Sequence, residues 1–366
     1  MKEYSAVEGG IEFRGKLDDC YKANLHLRIP TRILMRIREF RATNFRRLEK
    51  SLMIIPWELY IQKNISPVIK VTSKHSRLYH KEAIAERLLK SIAVRSGDLT
   101  TSSSDDTDTS KKQNIFVRVV DDIFTLSIDS SGEALYKRGI KKHGGPAPIR
   151  ETLASAALIL AEYRSDEPLL DPMCGTGTFS VEAGMISNNI PPGWYRDFAF
   201  ENWPGFRRKR WEYLKKNAEM SIMSPAALPH IISCDLNSSF VKSLHGTVEK
   251  YIFKNSIRTM NKDFFNITPG DIFNITGNNK KGLVIINPPY GVRLGTKYES
   301  RELADSILNR LKQLYAGWKI ALFIHDKIAP KKIFPACNLT PLDHGGLRLS
   351  LLTGIIPGNR DGHKRI

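Results

Sequence analysis

Before residue 140 the chain alternates apolar and polar positions in short runs. EGGIEFRG near the start and NIFVRVVDDIFTLSIDSSG further on each predict strands paired through tight turns, since period-two alternation turns one face of a strand to a core. Together these runs predict an α+β region. Between them, Ser96 to Gln113 is built of Ser, Thr, Asp and Lys with almost no apolar residue, and is expected to be an exposed loop. The pattern then changes. A Gly-Gly-Pro stretch places a domain boundary near Lys141 to Pro146, and Ile149 to Tyr163 has the apolar stripe of a helix. Unbroken apolar runs follow at Pro168–Leu170, His230–Cys234, Gly282–Ile286 and Lys319–Ile324. Such runs, separated by helical or irregular stretches, predict an α/β domain with a parallel sheet covered on both faces.

Composition narrows the functional classes. With 366 residues, 41% of them hydrophobic, the chain can bury two or three cores. Lys and Arg number 56 against 38 Asp and Glu, a formal net charge of +18. Nucleic acid, an anionic membrane or an acidic protein would each suit that charge, and nucleic acid is the expected partner. Cys20, Cys174, Cys234 and Cys337 are scattered without CxxC spacing, so neither a disulfide scaffold nor a metal cluster is implied. No stretch approaches the roughly 18 apolar residues of a membrane helix, and the first dozen residues lack an apolar core. A cytoplasmic protein with no membrane partner is expected.

The first of the apolar runs leads into Asp171-Pro172-Met173-Cys174-Gly175-Thr176-Gly177-Thr178, followed by a helical pattern. A strand, Gly-rich turn and helix can hold a cofactor at the carboxyl edge of a sheet. Gly175 and Gly177 let backbone approach a ligand, and Asp171 can accept hydrogen bonds from an ammonium group. A tight βα connection explains the same glycines, and the GxGxxG dinucleotide fingerprint is absent. Asp235, ending HIISCD, can accept both hydroxyls of a ribose; an N-cap for the helix after it is the equal alternative. The interval from Gly177 to Asp235 far exceeds the ~20 residues usual there, so residues 188–226 are an expected insertion. It interleaves Trp194, Tyr195, Phe198, Trp203, Phe206 and Trp211 with Arg196, Arg207, Arg208, Lys209 and Arg210. Aromatics and cations can stack on bases and hold phosphates. For most of these aromatics anchoring of the insertion is the expected role, leaving Arg207, Arg208 and Arg210 as candidate RNA contacts.

The most specific signal is Asn287-Pro288-Pro289-Tyr290, after the strand-like GLVII. Two prolines form a rigid corner without N–H donors. The Asn287 side-chain oxygen and the Pro288 carbonyl can each accept one hydrogen of a planar amine, aiming its lone pair at a methyl sulfonium, while Tyr290 stacks on the base. Alignment of this kind can lower a barrier by roughly 7–11 kcal/mol. A strand-ending turn explains the prolines but not the flanking Asn and Tyr.

On these residues the chain resembles class I methyltransferases acting on amino groups, and DPMCGTGT with NPPYG resembles the RNA guanine-N2 enzymes. VEGGIEFRG, SGEALYKRG, APIRETLASAAL and DPMCGTGTFSVEAGMIS extend the likeness to the THUMP-domain family that contains bacterial large-subunit ribosomal RNA guanine-N2 methyltransferases. The resemblance covers almost the whole chain. It implies a ferredoxin-like segment over 1–55, an RNA-gripping THUMP domain over 56–140, and a Rossmann-like methyltransferase domain over 141–366. The last has a seven-stranded sheet ending in an antiparallel hairpin, which LTPLDHGGLRLSLLTGII fits. S-adenosyl-L-methionine is the implied cofactor. By the same resemblance Asp171, Cys174, Gly175, Thr176 and Gly177 form its methionine-side loop, Asp235 its ribose contact and Asp263 its adenine contact, with Thr152 carried over more weakly from the preceding helix. Two departures are expected to matter. Family members usually carry a further strand and helix before the segment matching VEGGIEF, so the ferredoxin-like part is expected to be incomplete, and Asn237 stands where many relatives have an acid.

The function implied is methylation of the exocyclic amine of a guanosine in 23S ribosomal RNA, with Asn287, Pro288, Pro289 and Tyr290 as the catalytic corner. A transfer RNA guanine-N2 methyltransferase is the nearest alternative. A DNA adenine-N6 enzyme shares the NPPY logic, but no DNA target-recognition module is evident. A non-catalytic RNA-binding assembly factor is the alternative from another class, opposed by the intact set of Asp171, Gly177, Asp235 and NPPY.

Overall fold

The computed structural model describes residues 3–63, 65, 67–96, 112–140, 149–223, 228–289, 297–325, 334–344 and 347–358. The chain forms two compact units, Met1–Gly139 with Pro192–Ala218, and Ile140–Pro191 with Glu219–Ile366. The expected loop and the expected domain boundary fall mainly on residues 97–111 and 141–148, outside the described residues.

The first unit opens with a hairpin, β1 (Tyr4–Val7) and β2 (Gly10–Phe13), then α1 (Leu17–His26), β3 (Leu34–Arg41), α2 (Phe45–Leu52), β4 (Pro67–Lys74), α3 (Lys81–Ser96), β5 (Gln113–Val120) and β6 (Ile123–Asp129). Both alternating segments are hairpins, as their period predicts. Asp121 and Asp122 join β5 to β6 with φ of 51° and 64°, the left-handed pair that a two-residue turn needs to match strand twist. The sheet order is β3-β6-β5-β4, with β5 parallel to β4 and the other pairs antiparallel. One core holds Ala42, Leu48, Leu52 and Trp57 together with Leu88, Val117 and Leu126. Residues on both sides of the expected 55/56 boundary therefore share one sheet and one core, because β3 completes the sheet that β4 to β6 begin.

The second unit contains α4 (Glu151–Leu160), β7 (Leu169–Asp171) and α5 (Thr178–Ser187). The expected insertion, with α6 (Arg208–Glu219), comes next in the chain, but its Pro192–Ala218 part belongs to the first compact unit. Its aromatics bury in that unit's second core: Phe200 stacks on Tyr21 at 4.4 Å, and Phe198, Trp203 and Trp211 join it. Trp203 Nε1 donates to Gln113 Oε1 at 2.8 Å. Arg196 donates to the carbonyls of Ser131, Glu133, Ala134 and Lys137, and burial lowers its pKa to about 10. Anchoring is thus the role of these aromatics, but on the N-terminal core.

The chain continues with β8 (Ile231–Asp235), α7 (Ser238–Val248), β9 (Ile257–Asn261), α8 (Pro269–Thr276), β10 (Leu283–Ile286), α9 (Lys297–Leu314), β11 (Lys319–His325), β12 (Asn338–His344) and β13 (Leu347–Ile355). These strands and β7 form a seven-stranded sheet ordered β12-β13-β11-β10-β7-β8-β9. Strands β7 to β11 run parallel, whereas β13 is antiparallel to both β11 and β12. All four expected runs are strands, and the closing hairpin is present. On one face Val284, Ile286, Ile320 and Leu322 pack with Ile307, Leu308 and Leu311 of α9. Toward α5, Phe323 of β11 meets Phe179 at 5.6 Å.

Candidate cofactor and amine-binding site

Strand order reverses between β7 and β10: the chain moves outward through β7, β8 and β9, then returns to place β10 on the other side of β7. At such a switch point the loops leaving two neighbouring strands diverge, opening a crevice at the carboxyl edge. The Gly-rich loop leaves β7 there and Asn287-Pro288-Pro289 leaves β10, while Asp235 ends β8 beside them. Pro288 is buried and Asn287 and Pro289 are half-buried. Tyr290 lies outside the described residues.

The loop is held by its own backbone and by Asp235. Gly177 N donates to the Cys174 carbonyl at 2.7 Å, and Cys174 N donates to the Cys234 carbonyl at 2.8 Å. Gly175 has φ of 52°, and a Cβ added to it would meet nothing within 4 Å, so the loop borders open space. Gly177 has φ of 74°, and its Cβ would fall 2.2 Å from Leu244 Cδ1. One glycine keeps the crevice clear; the other permits helix packing. Thr176 lies between them, half-buried.

Asp235 joins two elements. Its Oδ2 accepts from Gly175 N at 2.8 Å and its Oδ1 from Asn237 N at 2.9 Å. An ionised carboxylate offers about four acceptor positions, so both oxygens can still receive a hydroxyl. The N-cap of α7 is Asn237, whose side chain accepts from Ser239 N at 2.9 Å. Asp235 is therefore not the cap, and Asn237 has a structural use of its own. Asp263 follows β9 on the same edge, half-buried, its Oδ1 accepting from Phe265 N at 3.0 Å.

Asp171 is fully buried and accepts from Ser180 Oγ at 2.6 Å, and Ser233 Oγ donates to Ser180 Oγ at 2.7 Å. This network fixes the base of the loop. Thr152 is buried in the first turn of α4. The Cys174 thiol is pushed well above its ordinary range, first by burial and then by the Asp171 and Asp235 carboxylates, which keeps it protonated and unreactive. All four cysteines are buried and free. Among the described residues no group of His, Cys, Asp or Glu could hold a metal ion, and no helix is long and apolar enough to cross a membrane.

Sequence reasoning missed three contributors. Asn261 Nδ2 donates to the carbonyls of Asp235 and Leu236, at 2.8 and 2.9 Å, tying the end of β9 to that of β8. Leu236 is 72% exposed beside Asp235 and offers an apolar surface at the crevice rim. Ser180 holds Asp171. A glycine loop bordering open space, a carboxylate with spare acceptors and an exposed apolar neighbour fit a nucleoside bearing an amino-acid tail. The candidate RNA contacts belong to the first unit. Arg207 and Arg208 are exposed, whereas Arg210 is paired with Asp18 at 2.6 Å.

This fold and edge chemistry define a class I methyltransferase. The chain belongs to the family described as RMKL-like methyltransferase domain (UPF0020), which it matches over residues 138–336, and residues 2–34 match the RlmL ferredoxin-like domain. A Synechocystis protein named as a candidate RNA methyltransferase is 30% identical, over 94% of this chain and 88% of its own length. The ribosomal RNA large subunit methyltransferase K/L of Allochromatium vinosum is 29% identical over 96% of this chain, which spans only 48% of that relative. Among solved structures, the SMU.472 methyltransferase complexed with SAH superposes with a TM-score of 0.79 at 26% identity, covering 98% of this chain and 92% of that one.

Proposed function

We propose that the chain transfers a methyl group from S-adenosyl-L-methionine to the exocyclic N2 of a guanosine in 23S ribosomal RNA, with the first compact unit, Met1–Gly139 with Pro192–Ala218, gripping the RNA as the THUMP part of the family would. The observation that carries the reading is the placement of Asn287-Pro288-Pro289 at the end of β10, next to the glycine loop of β7. When bound, S-adenosyl-L-methionine supplies an electrophilic methyl group on a sulfonium. Gly175, Thr176 and Gly177 would leave room for its amino-acid end, Asp235 would take the ribose hydroxyls, and Leu236 and Asp263 would flank the base.

The corner acts by orientation. Asn287 Oδ1 and the Pro288 carbonyl accept the two amine hydrogens and so point the nitrogen lone pair out of the base plane. The amine nitrogen so aimed would take the methyl group that the bound sulfonium gives up, leaving a neutral thioether, and would then shed one proton to solvent. Pro289 keeps the corner rigid, and Tyr290 is assigned stacking on a base that has left its helix. No cysteine nucleophile is needed, in keeping with the buried, protonated Cys174. The relatives named K/L support ribosomal over transfer RNA, and the +18 charge suits a nucleic-acid substrate of either kind.

The test is transfer of labelled methyl to undermodified large-subunit ribosomal RNA, transfer RNA and duplex DNA in parallel, followed by nucleoside analysis. N2-methylguanosine in ribosomal RNA alone is expected. Label in transfer RNA alone, or in DNA adenine, would replace this reading.

A further inference from the structure

Among the described residues, α2 and α3 pack on one face of the first unit's four-stranded sheet. Along β5 the buried residues are Gln113, Ile115, Val117 and Val119, so Phe116 and Arg118 point to the opposite face. Register extends this face across the strands. Arg36, Ser127, Phe116 and Lys70 stand in one row, and Arg41, Ile123, Val120 and Lys74 in another, with Arg118 between them. Five cations thus share this face with the Phe116 ring, and Lys70 Nζ lies 5.2 Å from the ring centroid. Acids stand on this face too: Glu39 lies 3.3 Å from Arg36, and Asp129, buried at the end of β6, is paired with Arg32. Arg41 and Lys74 are exposed and have no ion-pair partner among the described residues.

Two of the cations are held by carboxylates from the β1–β2 hairpin. Glu8 lies 3.6 Å from Arg118, and Glu12 pairs closely with Arg36. The hairpin is weakly tethered. All four residues of β1 are exposed, Glu8 is 81% exposed, and exposed ion pairs and isolated two-stranded hairpins are each marginal.

We propose that this open sheet face is a platform for single-stranded RNA, and that the β1–β2 hairpin is a carboxylate strap occupying two of its phosphate positions until RNA displaces it. The inference rests on the RNA reading above. Cations spread along a face that also carries an aromatic ring suit a strand whose phosphates and bases alternate, and the carboxylates already on Arg36 and Arg118 mark where anions sit. A folded acidic protein would not use the ring in this way.

The experiment is fluorescence anisotropy of the full chain with a labelled mixed-sequence single-stranded RNA, titrated over a range of salt. The triple variant Arg41→Ala, Lys70→Ala, Lys74→Ala should keep its thermal midpoint, lose roughly tenfold or more in affinity, and lose about 2 from the logarithmic salt slope. Lys70→Arg with Lys74→Arg should restore binding. Glu8→Gln with Glu12→Gln should tighten binding about threefold. The control Glu86→Gln with Glu133→Gln, which alters the same net charge elsewhere, should not. Unchanged affinity and slope in the triple variant, with wild-type chain still binding and methylating RNA, overturns the platform alone. Equal tightening by both acid pairs overturns the strap, and preference for polyglutamate over RNA overturns the choice of partner. A wild-type chain that neither binds nor methylates RNA overturns the parent reading and this one with it.

Discussion

The two sheets differ in what they leave exposed. In the seven-stranded sheet β7 and β10 are buried residue by residue, with no polar alternation. In the four-stranded sheet β5 alternates buried and half-exposed positions along its whole length. A sheet covered on both faces can present ligands only with its edge, where strands end and backbone groups fall free, so the proposed chemistry gathers at Gly175, Asp235 and Asn287. A sheet covered on one face presents a flat surface instead, suited to an extended partner. One architecture orients an atom, and the other holds a chain.

The sharpest break of that comparison is at the edge. Asn287→Ala removes one of the two acceptors proposed to orient the amine, and loss of a single orienting group typically costs on the order of 10²–10³ in turnover. Methyl transfer should fall by that factor while RNA affinity stays within about twofold. Single-turnover kinetics and anisotropy on the same preparation separate the two. Turnover near that of wild type would remove Asn287 from the mechanism.

Next in size are substitutions within the sheets. Val284 and Ile285 are successive residues of β10 and both fully buried, so Val284→Asn and Ile285→Asn should each cost about 3 kcal/mol, by lost packing and an unsatisfied amide. In β5 the same change should split: Val117→Asn costs a comparable amount, whereas Arg118→Asn stays within about 0.5 kcal/mol. Urea unfolding measures this, read as separate transitions where the two units do not unfold together. If Ile285→Asn were as mild as Arg118→Asn, the large sheet would not be covered on both sides.

Much of this was legible in the sequence because hydrophobic period reports directly on how many faces a strand buries. GLVII and NIFVRVV announce the two sheets. The strand β9, IRTMN, was missed because it is an edge strand with a half-polar pattern. The insertion's aromatics were correctly expected to anchor it, but amphipathic spacing shows that a segment buries a face and not which core receives it. Trp211, Leu214 and Ala218 could have packed anywhere; Tyr21 and Phe200 take them. At the site, motifs placed Asp171, the glycines, Asp235 and Asn287 at one edge. Partners set by long-range pairing carried no local signal: Ser180 under Asp171, Asn261 across to Asp235, and Glu8 on Arg118. The role of Asp263 came from family resemblance alone.

The smallest expected effect lies at the opposite edge of the large sheet. Asp166, ahead of β7, accepts from Lys280 Nζ at 2.9 Å and Arg164 Nε at 3.0 Å, and its backbone carbonyl accepts from Asn278 Nδ2 at 3.1 Å. These contacts tie the start of β7 to the start of β10. The hydrogen bonds from Lys280 and then Arg164 hold the Asp166 carboxyl down at about 2, against 3.8 for the free group. A depressed carboxyl stabilises the fold above the unfolded value and loses that contribution as pH falls from 3.8 toward about 2. Because the carboxylate is exposed, salt screens the effect. Asp166→Asn should therefore lower the thermal midpoint slightly at neutral pH and low salt, and the difference from wild type should vanish near pH 2 or at high salt. Methyl transfer at neutral pH should not change, because these contacts lie at the amino edge of the sheet and the proposed site at the carboxyl ends of its strands. A loss of turnover in Asp166→Asn without loss of fold would show that strand alignment at one edge is transmitted to the other.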